Sequence, residues 1–164
     1  EWDEENIADI IYGWGGERYA RRIARAIVER RAENPIETTQ ELVHTIELAV
    51  PRAYAKGRLH PATRTFQAIR IAVNDEMGAL AAGLASAMDA LAESGRLAVI
   101  TFHSTEDRLV KNIFRDAQKA YRGKVLTKKP IVPTRDEILS NPRSRSAKLR
   151  IFEKISVIPS TIKV

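Results

Sequence analysis

The spacing of apolar residues changes at Ser94-Gly95, and this change constrains the fold more than any other feature of the chain. Before it, from Pro61 on, large apolar residues recur at steps of three and four, which predicts one long amphipathic helix. Gly78 and Gly83 are expected to bend that helix without ending it. After the change, residues 96–102 form a short apolar run rich in β-formers, which predicts a buried strand that needs cover on both faces. The two patterns together indicate the α/β class, mostly helical by content.

Residues 1–60 show helical patterns only. Their apolar segments end at residues 13–16, at Asn34-Pro35 and at Pro51. Thr38 and Glu41 form a capping box at the start of the third segment, and residues 52–60 resemble a basic loop. We therefore predict a helical subdomain over residues 1–60 and a second domain, residues 61–164, that begins with the long helix.

The second domain continues past the strand as helix, strand, short helix and strand. The apolar spacing predicts a helix that opens at Glu106-Asp107, a strand over 124–128 and a last strand over 148–155. A capping box of Thr134 and Glu137 predicts the short helix between these strands. Three strands make a thin sheet, so we expect one side of a larger sheet. The first residue is glutamate rather than methionine, as expected of a piece cut from a longer protein.

Positive charge is concentrated near the end of the chain. The formal net charge is +6, and residues 123–164 carry ten Lys/Arg against three Asp/Glu. Such a segment favours a polyanion partner, and phosphate backbones are the commonest polyanion. Arg143, Arg145 and Lys148, after Lys128-Lys129, are the candidate phosphate contacts, since arginine forks onto phosphate oxygens. The alternative is a solvated basic edge strand that lysines protect from aggregation.

Several classes of site and location are excluded by composition. The chain has no cysteine, which excludes disulfides, thiolate nucleophiles and cysteine-ligated metals. Its three histidines show no ligand spacing, so we predict no metal site. No apolar run approaches the roughly 20 residues that a membrane helix needs, so we expect a cytoplasmic protein that does not contact membrane.

A polar cluster, Phe102 to Arg108, follows the predicted buried strand. Open α/β sheets bind ligands beyond the carboxyl ends of their strands, which makes His103 a candidate base or hydrogen-bond donor. The alternative is a helix start. In it, Ser104 caps the helix, and the negative charges of Glu106 and Asp107 are stabilised by the positive end of the helix dipole. That alternative leaves His103 unexplained.

A second polar cluster lies on the long helix. Gln67, Arg70 and Asn74 share one face at spacings of three and four, with Asp75 and Glu76 close by. A solvated helix face explains these residues, and so does a surface that binds phosphates and base edges.

Long motifs in these regions resemble one family, the RsmH (MraW) methyltransferases. The matching runs, in order over nearly the whole chain, are Ala20–Val28, His60–Ala68, Arg70–Glu76, Phe102–Ser104, Glu106–Arg108, Thr127–Pro130 and Asn141–Arg150. The chain departs from the family's usual residues in Gly13-Trp14-Gly15-Gly16, Thr101 and Thr105. The first departure loosens a predicted helix boundary, and the other two are conservative.

The resemblance implies a Rossmann-like methyltransferase core interrupted by a helical insertion. Residues 1–60 would form most of the insertion, and residues 61–164 the last strands of the core. The family transfers a methyl group from S-adenosylmethionine to N4 of a cytidine in small-subunit ribosomal RNA. Its glycine-rich cofactor loop and ribose-binding acidic residue lie upstream of position 1, so no residue here is assigned to the cofactor, and we expect the chain alone to be inactive.

The resemblance also suggests roles for the polar clusters. His103, with Asn74 or Asp75, is expected to hold the flipped cytidine. The expected RNA contacts are Arg64, Gln67, Arg70, Lys128, Lys129, Arg143, Arg145 and Lys148. The expected partner is the ribosomal RNA or the small ribosomal subunit, and an unpaired strand edge would allow a homodimer. The alternative function is a non-catalytic RNA-binding remnant of the family.

Overall fold

The computed structural model describes residues 2–57 and 59–155 and divides into two compact units, Glu1–Glu76 and Met77–Val164. Unit 1 is helical. Its helices are α1 (Glu4–Gly15), α2 (Ala20–Glu33), α3 (Thr39–Ala49), α4 (Arg52–Ala55) and α5 (Ala62–Val73). The predicted capping box of Thr38 and Glu41 is present at the start of α3. Arg52–Ala55, predicted as loop, forms one helical turn.

The core of unit 1 is a cluster of isoleucines and alanines. Ile11, Ile23 and Ile46, from α1, α2 and α3, are fully buried in it. Helix α5 packs against α1 so closely that a side chain at Gly15 would lie 2.5 Å from the Arg64 carbonyl oxygen. The glycine is therefore required at this crossing, since any β-carbon would separate the two helices.

The predicted long helix is interrupted. Helix α5 ends at Val73, and α6 (Glu76–Ala90) begins after Asn74 and Asp75. Asp75 adopts a φ of +46°, a left-handed conformation that Asn and Asp tolerate better than other side chains and that breaks the helical hydrogen-bond ladder. Gly78 and Gly83 both lie inside α6, which confirms that neither ends the helix, and the bend at these glycines stays a prediction.

Unit 2 combines helices with a three-stranded sheet. Its further elements are β1 (Arg96–Thr101), α7 (Ser104–Lys119), β2 (Gly123–Val125), α8 (Arg135–Ser140), a 3-10 helix (Pro142–Ser146) and β3 (Lys148–Lys154). The strand order is β1-β3-β2, and both pairings are antiparallel. The predicted order of elements is confirmed, with the second strand shorter than expected.

The sheet is covered on one face. Phe152 of β3 and Phe114 of α7 are both buried, with ring centroids 5.3 Å apart. Leu97 and Val99 pack against the same cluster, whereas Ile100, on the opposite face of β1, is 59% exposed. The expectation that β1 is covered on both faces is therefore not met within unit 2.

The boundary between the units differs from the predicted domain boundary. Residues 61–76 were predicted to belong to the second domain, but α5 packs against α1 and α3 and belongs to unit 1. The apolar face of α5 completes the core of α1 to α3. The assignment of residues 1–60 to the family's insertion stays a prediction. None of the described helices is long and apolar enough to cross a membrane.

Two glycines of unit 2 test the packing of that unit, because replacing each with alanine should change the free energy of unfolding in opposite directions. A β-carbon at Gly123 would lie 2.1 Å from the Phe152 ring, whereas one at Gly83 in α6 meets nothing within 4 Å. We expect Gly123→Ala to lower the free energy of unfolding by about 1–3 kcal/mol. Gly83→Ala should raise it by about 0.5–1 kcal/mol, because alanine is the better helix former. Urea unfolding measures both, and equal effects would contradict the packing.

Candidate functional site

His103 caps the first turn of α7, directly after β1. Its Nδ1 accepts a hydrogen bond from the Glu106 backbone N–H at 3.3 Å, and Glu106 Oε2 accepts from the backbone N–H groups of Phe102 (2.9 Å) and His103 (3.3 Å). This is a reciprocal capping box. The alternative in which Ser104 is the cap was therefore wrong, because Ser104 is already the first residue of the helix.

The second ring nitrogen of His103 has no hydrogen-bond partner among the described residues. The side chain is 15% exposed, and its Nε2 lies 3.3 Å from Glu106 Oε1 without hydrogen-bond geometry. Because Nδ1 accepts a hydrogen bond, the neutral ring carries its proton on Nε2. His103 thus holds one oriented N–H donor, buried at the carboxyl end of a strand.

Asp107, in the same turn of α7, makes a buried ion pair with β3. Its carboxylate accepts from Arg150 Nε at 2.6 Å and from Arg150 Nη2 at 3.2 Å, and Lys148 Nζ lies 3.4 Å from Oδ2. The Arg150 side chain is 5% exposed. The pair fixes the first turn of α7, and with it the His103 ring, to the last strand of the sheet.

The ionisation of Asp107 is set by two opposing effects. Burial raises the pKa of the Asp107 carboxyl, but the hydrogen bond and charge of Arg150 and the charge of Lys148 lower it by more. The net result is a pKa below the ordinary value for aspartate, so the carboxylate stays charged at neutral pH.

This pair was not predicted. Lys148 was expected to contact RNA, whereas the structure directs its ammonium group to Asp107, and Arg150 had no predicted role. The strand pattern carried a usable signal: Lys148, Arg150 and Phe152 alternate along β3 on the face that packs against α7. A charged residue on the same strand face as a buried phenylalanine is itself buried, so it requires a partner of opposite charge.

The remaining predicted RNA contacts of unit 2 lie on two exposed segments outside the sheet, here called the basic loops. Lys128 and Lys129 are exposed between β2 and α8, and Arg143 and Arg145 are exposed on the 3-10 helix. Between the arginines, Ser144 is buried and its Oγ donates to the Asn141 carbonyl at 2.8 Å. In the part of the chain that the structure describes, neither arginine makes a side-chain hydrogen bond or an ion pair.

The predicted RNA residues of unit 1 have mixed surroundings. Arg70 makes a bidentate ion pair with Glu76, at 2.8 and 3.1 Å, so its guanidinium is already engaged. Arg64 donates from Nη1 to the Gly16 carbonyl at 3.3 Å, and Gln67 is half-buried. Asn74 and Asp75 are exposed at the turn between α5 and α6. These residues belong to unit 1, whereas His103 belongs to unit 2.

Three clefts in the described parts of the two units lack the carboxylate expected of an S-adenosylmethionine site. Unit 1 has an apolar cleft of about 360 Å³ beside Trp2 and Arg31 and a cleft of about 440 Å³ beside Arg18 and Arg64. Unit 2 has one of about 330 Å³ beside Arg150. None of these three clefts, all formed by described residues, is lined by a carboxylate, the group that holds ribose hydroxyls in nucleotide sites.

Asp107 gives unit 2 a specific acid sensitivity. A carboxyl with a lowered pKa stabilises the fold fully above its unfolded-state pKa, near 3.9, and the contribution is lost as the pH falls toward the folded-state value. Asp107→Asn leaves Arg150 buried without its partner, so it should lower the free energy of unfolding at pH 7 by about 3 kcal/mol. Below about pH 4, the difference from the unmodified chain should narrow.

The matched control is Asp116→Asn, also on α7, because Asp116 is 60% exposed and pairs only at the surface with Arg115 and Lys119. It should change the free energy of unfolding by less than about 0.5 kcal/mol at either pH. Urea unfolding at both pH values provides the measurement. Equal effects of the two variants would show that the Asp107 pair is not buried.

Comparisons with known proteins agree with the sequence resemblance. A family model described as the MraW methylase family matches residues 1–155. A curated relative from Synechococcus elongatus is 56% identical over 155 residues, which are 94% of this chain and 50% of the relative. A relative from Brevibacillus brevis is 48% identical over 170 residues, covering 94% of this chain and 54% of its own length.

Both relatives, and a third from Nostoc sp. at 55% identity, carry the name ribosomal RNA small subunit methyltransferase H. This chain spans about half the length of the curated relatives it matches. Because the family model matches residues 1–155 and relatives from several bacteria align with 94% of the chain, this chain belongs to the MraW methylase family.

Proposed function

We propose that this chain forms the RNA-binding part of an S-adenosylmethionine-dependent methyltransferase that acts on N4 of a cytidine in small-subunit ribosomal RNA. One observation carries the proposal: relatives up to 56% identical over 94% of the chain are named ribosomal RNA small subunit methyltransferase H. The arrangement of donors and cations in unit 2 supports it. The proposed setting is the cytoplasm, where ribosomal RNA is modified.

The sheet of unit 2 supports a place at one side of a Rossmann-like core. Strand β1 lies at the edge of the β1-β3-β2 order, and its face with Ala98 and Ile100 is exposed. Leu149 and Ile151, paired with Ile100 and Ala98 in the register, extend this apolar face across β3. We propose that further strands and helices of a methyltransferase core cover this face. A second copy of the chain is the alternative occupant.

Cytidine N4 explains why a fixed donor at the end of a strand is useful. The lone pair of this amine is delocalised into the ring, so it is a weak nucleophile, and accurate positioning contributes more than strong base catalysis. The base must also leave its stack to enter a site. We assign the Nε2–H of His103 to hold the extruded base by a hydrogen bond. In unit 1, Asn74 and Asp75 stay predicted polar contacts of the RNA.

The exposed basic loops of unit 2 supply the phosphate contacts. Arg143 and Arg145 have no internal acceptor within residues 2–57 and 59–155, and the buried Ser144 between them fixes the short helix that carries them. Lys128 and Lys129 add two exposed charges. Lys148 is better explained as part of the Asp107 pair than as an RNA contact.

A non-catalytic RNA-binding module is the second candidate. The three described clefts lack a carboxylate for the donor's ribose, which agrees with this candidate and equally with a methyltransferase whose donor site lies outside this chain. Both candidates require RNA binding, but only the first requires that this chain support methyl transfer when the rest of a methyltransferase is supplied.

The decisive experiment joins this chain to the half of the Synechococcus elongatus relative that it does not match. We expect the chimera to transfer labelled methyl groups from S-adenosylmethionine to small-subunit ribosomal RNA. In it, His103→Asn should reduce turnover about tenfold or more while RNA affinity changes little, because asparagine caps a helix well but lacks the imidazole donor.

The control separates capping from base contact. His103→Ala removes the cap as well, so it should lower stability by about 1 kcal/mol in addition to the loss of turnover. Full turnover of His103→Asn would reduce His103 to a helix cap. A chimera that folds and binds RNA but transfers no methyl groups would favour the non-catalytic candidate.

The basic loops are tested by RNA binding of the chain itself. The double variant Arg143→Gln with Arg145→Gln should weaken binding of a single-stranded RNA about tenfold. It should also lower the magnitude of the slope of log affinity against log salt by about 1.4, because each phosphate contact with a single strand contributes about 0.7. The control removes two charges that are already paired, Arg96 with Glu153 and Arg122 with Asp89. Equal loss in both double variants, measured by fluorescence anisotropy, would show that only net charge matters.

A further inference from the structure

A second cationic site lies in unit 1, in the cleft of about 440 Å³ between the start of α2, the Pro51–Tyr54 turn and α5. Arg18 and Arg64 both line it, together with Tyr19, Tyr54 and His60. No carboxylate is among the described residues that line the cleft. The proposed function assigns no role to Arg18 or to the two tyrosines.

Arg18 is held by aromatic rings rather than by an acid. Its guanidinium carbon lies 4.8 Å from the Tyr19 ring centroid and 4.9 Å from that of Tyr54, and the two rings meet edge to face at 4.9 Å. Within the described residues, Arg18 makes no hydrogen bond and no ion pair. Stacking on rings orients a guanidinium and leaves its N–H donors available for a ligand.

A buried carboxylate fixes the Tyr54 ring and the backbone at Tyr19. Glu17 is fully buried, and its two oxygens accept hydrogen bonds from the Tyr54 hydroxyl and, at 2.9 Å, from the Tyr19 backbone N–H. Burial raises the pKa of Tyr54, and the hydrogen bond and charge of Glu17 raise it further against the opposing charges of Arg64 and Arg18. The hydroxyl therefore stays protonated at neutral pH and keeps donating to Glu17.

Arg64 brings a second guanidinium to the same cleft. One of its nitrogens donates to the Gly16 carbonyl at 3.3 Å, which orients the side chain and leaves its other donors without a partner in the described structure. The nearby acids are engaged: Glu17 holds the tyrosines, and Glu47 lies 3.3 Å from Nε2 of His60. The unsatisfied groups of the cleft are thus cationic donors.

Two oriented guanidiniums beside aromatic rings fit a phosphate group. Arginine forks match phosphate oxygens in pairs, and single-stranded nucleic acids bind where cations track the backbone beside aromatic side chains. We propose that this cleft, here called the Arg18–Arg64 cleft, binds a phosphodiester of single-stranded RNA at a site separate from the basic loops of unit 2. The RNA class of the ligand rests on the proposed function.

The test measures binding of a fluorescent single-stranded RNA to the 164-residue chain at several salt concentrations. Arg64→Gln should weaken binding about fivefold and reduce the salt slope by about 0.7. Arg18→Lys keeps the charge but loses the stacked fork, so it should also weaken binding about threefold or more. The matched control is Arg21→Gln, an exposed arginine of α2 without a described partner, which should change affinity less than twofold.

The competitors identify the ligand chemistry. Inorganic phosphate should displace RNA from the unmodified chain only at millimolar or higher concentration if the site binds a polynucleotide backbone. Displacement at micromolar phosphate would assign the cleft to a small anion. Tighter binding of a polyglutamate peptide, lost in Arg64→Gln, would assign it to an acidic protein. Either result would overturn the proposal.

The outcomes separate this proposal from the proposed function. If Arg64→Gln and Arg21→Gln have equal effects and Arg18→Lys binds like the unmodified chain, the cleft is not a phosphate site. The proposed function then stands as long as the Arg143 and Arg145 double variant loses affinity. If the unmodified chain binds no RNA, both proposals fail. Near-ultraviolet circular dichroism confirms that each variant keeps the Tyr19–Tyr54 packing.

Discussion

The buried ion pair of Asp107 and Arg150 organises unit 2. A charged pair in an interior is stable only when hydrogen bonds satisfy both partners. The bidentate contact between Arg150 and Asp107, together with the hydrogen bond from Lys148, meets that requirement. The pair joins the first turn of α7 to the last strand, two segments that are 43 residues apart in the chain. Because His103 caps the same turn, the position of its imidazole depends on this pair.

The cations of the protein fall into two groups with different roles. Carboxylates of the protein form ion pairs with Arg70, Lys148 and Arg150, so these charges are already paired within the structure. Arg18, Arg143 and Arg145 have no acid partner among the described residues, yet each lies on a fixed support: aromatic rings for the first, a serine-anchored 3-10 helix for the others. Cations that are oriented but unpaired are the ones able to bind an external anion without first breaking an internal contact.

Local sequence rules predicted the elements of the fold well. The capping box of Thr38 and Glu41, strand β1 and the order of elements in unit 2 follow from spacing within a few residues, and each is confirmed. The break at Asn74 and Asp75 escaped prediction because the apolar stripe continues across it. Only the low helix propensity of two adjacent Asn/Asp residues marked the position. The partner of Arg150 escaped because a contact between distant segments leaves no local pattern.

The candidate site was predicted in part. The motifs around His103 and Asn141–Arg150 sufficed to recognise the family, but charge alone could not tell an RNA contact from an internal ion pair, as Lys148 shows. The glutamate behind the tyrosines was missed for the same reason. A buried carboxylate such as Glu17 is visible in sequence only as one more acidic residue, because its partner Tyr54 lies 37 positions away.

The choice of histidine as a helix cap is itself an argument for function. Ser, Thr, Asp and Asn cap helices best, and a serine stands at the next position in the chain. Aspartate at position 103 would keep the capping contact and carry no N–H, whereas Nε2 of His103 is buried with Glu106 Oε1 at 3.3 Å but without hydrogen-bond geometry, and has no other acceptor among the described residues. An unpaired buried donor costs roughly 1–3 kcal/mol. That cost is explained if a ligand supplies the missing acceptor, and a carbonyl oxygen or ring nitrogen of an extruded base is such an acceptor.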